Sequence, residues 1–80
     1  MYEEKQASAF VRDLPEEDKH RVIQVDPGWE VKKVMHNGRL LEEEKGHYAI
    51  KEGKIILSET SDLALGITDE VVAVFCKHTP

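Results

Sequence analysis

The dipeptide Asn37-Gly38, set between the strand-like runs 31–36 (VKKVMH) and 39–41 (RLL), constrains the fold of this chain most. Asn and Gly tolerate positive φ, which both central residues of a type I′ turn require, so the pair folds the chain back as a two-residue hairpin. The theme repeats along the sequence. Runs 48–50 (YAI) and 55–57 (IIL) flank a turn centred on Glu52-Gly53. Asp26-Pro27-Gly28 offers Pro at i+1 and Gly at i+2 of another tight turn. Val71–Phe75 is apolar throughout, the mark of a central strand covered on both faces.

Side-chain alternation assigns faces to these strands. Arg21–Val25 reads as one strand, and Trp29 opens the next. Strict alternation over 31–36 would separate Val31 from Val34, whereas a bulge near Lys32-Lys33 puts both valines on the same side. Glu44-Lys45-Gly46 reads as a turn. Leu63, Leu65 and Ile67 alternate within the long connection 58–68 and are expected to cover an open end of the core. The expected core is Val22, Val25, Val34, Leu41, Tyr48, Ile50, Ile55, Leu57, Val72 and Val74. Residues 1–9 lack period-2 alternation and are expected to be a flexible polar arm, or one weak helical turn, preceding a single β domain at 10–80, with Phe10 and Val11 as its first anchors. Residues 13–18 read either as a short helix started by Asp13 and Pro15 or as a charged loop. The loop is preferred, with one short helical turn near residues 14–20. The fold class is therefore all-β: a small antiparallel β-sandwich or partly open barrel of five to six strands.

Size and charge bound the function. A chain of 80 residues is one small domain that buries only roughly 60% of the surface its unfolded form exposes. No apolar run reaches the ~20 residues of a membrane-spanning helix, and the first residues have no basic region leading into an apolar one, so no secretory signal is expected. The net charge of −5 argues against nucleic acid, whose phosphates need clustered Lys and Arg. Nucleic-acid mimicry by an acidic surface is also disfavoured, because 11 basic residues are interspersed with the 16 acidic ones. One cysteine, Cys76, allows no internal disulfide and fits a reducing compartment.

Chemistry-bearing residues do not form a site on spacing alone. Cys76 and His78 lie two apart on a strand and both are admissible zinc ligands, but no second pair has the spacing. His36 and His47 flank a hairpin and would meet only if it brought them together. Cys76 sits in an apolar strand with no neighbour to activate it. The serines lack a nucleophile-elbow context, and the acidic runs at 16–17 and 42–44 read as solvated faces beside turns. No catalytic, cofactor-binding or metal residue is assigned, and no small-molecule substrate or membrane partner is expected. Six residues are nominated as partner contacts instead. Trp29 reads either as an exposed aromatic anchor or as a core-edge tryptophan. Lys32 and Lys33 read as guards of an edge strand. Glu42, Glu43 and Glu44 form an acidic loop.

The elements Val31/Val34, Asn37-Gly38, Leu40-Leu41, Tyr48-Ala49-Ile50, Ile55-Ile56-Leu57 and Asp69–Phe75, in this order, resemble small β-sandwich modules of tailed-phage virion proteins, of the tail-fibre and tail-attachment type. The match covers residues 31–75. It departs from the pattern at Val-x-x-Val, where Val-x-Val is usual, and in the charged insert 42–46. The resemblance implies a non-enzymatic bacteriophage or prophage virion structural protein (neck, tail or capsid-associated), made in the host cytoplasm and located in the virion. It also implies assembly with other virion proteins or with itself as a homo-oligomer. The alternative is an intracellular binding or inhibitor module, encoded by a phage or by its host, that turns its acidic loops against a basic host protein.

Overall fold

The computed structural model describes residues 1–80. Eight strands run in the order β1 (Tyr2–Phe10), β2 (Glu16–Glu17), β3 (His20–Gln24), β4 (Glu30–His36), β5 (Arg39–Leu40), β6 (Tyr48–Lys51), β7 (Lys54–Leu57) and β8 (Glu70–His78). They form two four-stranded antiparallel sheets, ordered β1-β8-β4-β5 and β2-β3-β7-β6. The only helical pieces are short 3-10 turns at Val11–Asp13 and Glu43–Lys45. The fold is all-β, as the turn chemistry predicts, and its sheets do not close into a barrel.

The turns follow the residues that specify them. Asn37 and Gly38 take φ of 49° and 84°, and Glu52 and Gly53 take 52° and 73°, so both hairpins carry two positive-φ residues. Trp29 N–H donates to Asp26 O at 3.1 Å across the Pro27-Gly28 turn, with Gly28 at φ 86°. The β4–β8 register shifts between Val31 and Lys33. Val31 then faces Phe75 and Val34 faces Ala73, so both valines point into the sandwich, and Lys32 is the extra, bulged residue.

The core lies between the sheets. Val34, Val71, Ala73 and Phe75 from one sheet meet Ile55 and Leu57 from the other, with Val11, Leu14, Leu41 and Leu63 from the connections. Of the expected core, Val22, Val34, Leu41, Ile55, Leu57 and Val74 are buried, Val25, Tyr48 and Val72 are half-buried, and Ile50 is 43% exposed at an edge. The long connection contributes Leu63 and partly Leu65, while Ile67 stays exposed.

Three expectations are corrected. First, residues 1–9 are not a flexible arm. Tyr2–Phe10 pairs along its whole length with Glu70–His78, and Thr79 N–H donates to Met1 O at 2.8 Å. Its polar pattern is that of an edge strand at the sandwich margin, where even the inward side chains are nearly all exposed. Second, β8 is central, but the side chains it sends between the sheets are Val71, Ala73 and Phe75, while Val74 is buried and Val72 half-buried on its other face. A strand apolar on both faces carries no period-2 signal to fix its register. Third, no helical turn forms at 14–20. The 3-10 turn falls earlier, with Asp13 as its last residue, and Glu16–Glu17 instead pairs with β3 through a turn at Asp18-Lys19.

Candidate functional site

Sheet edges left open by the topology define the candidate site. In the first sheet, β5 covers only Met35 and His36 of β4, so Glu30–Lys33 has no strand beside it on that side. In the second sheet, β6 is an edge along its whole length. Between them lies a cleft of about 410 Å³ lined by Lys32, Lys33, Leu40, Leu41, Glu42, Glu43, Glu44 and Tyr48. Five of the six nominated contact residues therefore converge on one concavity, although they were nominated separately as an edge guard and a loop.

The cleft has an apolar part and two charged parts. Leu41 is buried, Tyr48 is half-buried, and Leu40 is 54% exposed. The bulge gives the rim consecutive lysines. Lys32 Nζ reaches across the outer face of β8 to bond Glu4, whose carboxylate also accepts from Tyr2 Oη at 2.6 Å. Those bonds, Lys32 first, hold the Glu4 carboxyl below its ordinary range. Lys33 makes no ion pair within the chain, and neither do Glu43 and Glu44, whereas Glu42 pairs with Lys45 at 3.2 Å. Partial burial, reinforced by Glu43 and Glu44, raises the Tyr48 phenol.

A clamp that sequence reasoning missed sets the acidic loop. Gly46 ends the 3-10 turn at φ 78°, and its N–H donates to Glu43 O at 2.9 Å. The fully buried His47 follows. Its Nδ1 accepts from Glu42 N–H at 3.1 Å, so Nε2 carries the proton and donates to Asp62 Oδ1 at 3.1 Å. Asp62 also accepts from Thr60 Oγ1 at 2.6 Å and Arg39 Nη2 at 2.9 Å. The Thr60, Arg39 and His47 bonds push its carboxyl far below the usual range. These four residues tie β5, the acidic loop and the 58–68 connection together. No spacing rule reaches them, because the partners lie 15 and 23 residues apart.

The remaining candidates lie elsewhere. Trp29 does not line the cleft. It packs against the core with the Lys5 and Lys77 ammonium groups 4.4 and 5.5 Å from its ring centroid, which matches the core-edge reading. His36 and His47 do not form a pair: His36 Nε2 bonds Asp69 Oδ2 at 2.8 Å, and His47 belongs to Asp62. Nowhere do three His, Cys, Asp or Glu side chains gather as metal ligands would. Comparison with protein-family models, curated proteins and solved structures returns no match to this chain. The reading of the cleft therefore rests on its own geometry.

Proposed function

We propose that this chain is a non-catalytic protein-binding module that receives a segment of another protein in the cleft between β4–β5 and β6. The observation that carries this reading is the coincidence of two open strand edges with an exposed leucine and unpaired charges of both signs. Open edges offer main-chain N–H and C=O groups to an added strand, and the flanking side chains select its sequence. The partner favoured by the resemblance of residues 31–75 is another component of a bacteriophage or prophage virion, in the neck, tail or capsid. Leu40→Asp and Lys33→Glu should leave the thermal transition nearly unchanged and reduce incorporation into purified particles at least tenfold. Normal incorporation of both variants would remove the cleft from assembly, and absence of the chain from particles would remove the virion partner.

One observation favours a second reading. Glu43 and Glu44 are exposed, without an ion pair in the chain, and held forward on the His47 clamp. Such a loop suits a basic host protein that the module would bind or inhibit. Binding of that kind weakens steeply with salt, and Glu43→Lys with Glu44→Lys should abolish it, whereas Leu40→Asp, which strikes strand addition at the cleft, should leave it intact.

A further inference from the structure

A different surface, the free edge of β1, points to a specific partner. The ladder between β1 and β8 has no register shift. Thr79 N–H donates to Met1 O, and Val11 N–H donates to Asp69 O at 2.9 Å. Odd-numbered residues therefore turn their amides toward β8, and alternation turns those of Tyr2, Glu4, Gln6, Ser8 and Phe10 outward to solvent. This is the longest bare edge in the molecule, at nine residues.

Edge strands this long are normally guarded by unpaired charge. Here the charges are largely spent inside the chain. Lys5 bonds Asp26 at 2.6 Å and sits over Trp29, while Glu4 is held by Tyr2 and Lys32. Glu3 alone keeps an exposed charge without a partner, and the two end residues of the edge are aromatic, Tyr2 at 47% and Phe10 at 44% exposed.

We infer that β1 pairs antiparallel with β1 of a second copy of this chain, about a two-fold axis at Gln6, to join two four-stranded sheets into one continuous sheet. This register sets Gln6 against Gln6, Glu4 against Ser8 and Tyr2 against Phe10 of the other copy. Every outward amide then meets an outward carbonyl, all nine residues are used, and the exposed aromatics cover each other on the same face. On the opposite face Lys5 meets Ala7 and Glu3 meets Ala9, so no charge directly opposes a like charge. Neighbouring registers do worse. An axis at Lys5 sets Lys5 against Lys5, an axis at Glu4 sets Glu4 against Glu4, and an axis at Ala7 shortens the ladder and sets Glu4 against Phe10. Such a two-fold contact is self-complementary and closes on itself, so it yields a dimer and not a fibre.

The inference shares with the proposed function only the idea that strand edges make contacts. The β1 edge lies at the far side of its sheet from the cleft. The test is sedimentation velocity of the full chain up to about 0.5 mM, above the micromolar range expected for a small interface. Amide exchange is followed alongside. The expected result is a concentration-dependent dimer in which the Glu4, Gln6 and Ser8 amides become protected as it forms. Gln6→Pro removes one outward N–H and no bond to β8, so the monomer should stay folded while dimer dissociation rises at least tenfold. Gln6→Lys, which sets two ammonium groups across the axis, should do the same, and added salt should partly reverse it. A wild-type chain that stays monomeric throughout overturns the inference. So does a dimer that survives both substitutions or protects only cleft residues, an outcome that would leave the cleft reading standing.

Discussion

At the β4–β5 turn, Asn37 and Gly38 have φ of 49° and 84°; at the β2–β3 turn, Asp18 and Lys19 have 50° and 70°. The backbones match, but the anchoring does not. Asn37 donates its N–H to Glu70 O and accepts from Glu70 N–H through its side chain, both at 2.9 Å. His36 next to it bonds Asp69, and Arg39 beyond it bonds Asp62. The β2–β3 hairpin is tied more lightly. Val22 N–H reaches Pro15 O, Arg21 reaches Leu14 O, and Lys54 bonds Glu17 at 2.7 Å on the surface. A turn type fixes where a chain reverses; the contacts around it decide how much of the fold depends on that reversal.

Removing an anchor should break the comparison most strongly. His47→Ala leaves a cavity and an unpaired Glu42 N–H behind β5 and should cost about 2–4 kcal/mol in chemical denaturation. A cost near zero would show that the two hairpins are equally loose. Gly38→Val should cost about 1–3 kcal/mol. The added Cβ meets no atom within 4 Å, so the loss would be backbone strain at φ 84° alone. Lys19→Gly relieves the same strain at the other hairpin and should stabilise by about 0.5–1 kcal/mol, read as a raised denaturation midpoint.

Acid should weaken the anchored side. Asp62 and Asp69 are held below the usual carboxylate range, Asp62 chiefly by Thr60 and Arg39, Asp69 chiefly by His36 and Gly66 N–H. A lowered folded pKa means that their stabilisation is complete above the unfolded value of about 3.9 and is lost as pH falls through the folded values. Denaturation midpoints should therefore fall below pH about 4, and Asp62→Asn should flatten that decline. At the other hairpin Lys54→Ala removes an exposed ion pair and should leave the denaturation midpoint nearly unchanged.

The same contrast explains what was legible in the sequence. Asn37-Gly38, Glu52-Gly53 and Pro27-Gly28 announce their turns because glycine is the residue that positive φ selects. Asp18-Lys19 adopts the same backbone without glycine, so the sequence of this hairpin reads as a loop. The bulge at Lys32 was legible because only that insertion unites Val31 with Val34. β1 was not, because its inward side chains, Glu3, Lys5 and Ala7, lie at the sandwich margin and carry no apolar alternation. The cleft was half legible. Its charges stand out in the sequence, while the His47–Asp62 clamp behind them depends on closure of the sandwich.

The β1–β8 ladder, which joins Tyr2 to His78 and Phe10 to Glu70, has a kinetic consequence. Even at its inner end the ladder must bring Phe10 to Glu70 across all the residues between them before its first hydrogen bond can form, so the entropy of closing that loop falls on the folding barrier. The β4–β5 and β6–β7 hairpins, zipped from their own turns, can form in microseconds, and β1 should dock last. A circular permutant that links residue 80 to residue 1 and opens the chain at Asp18-Lys19 would turn this ladder into a local hairpin. It should fold faster than the natural order while reaching the same structure.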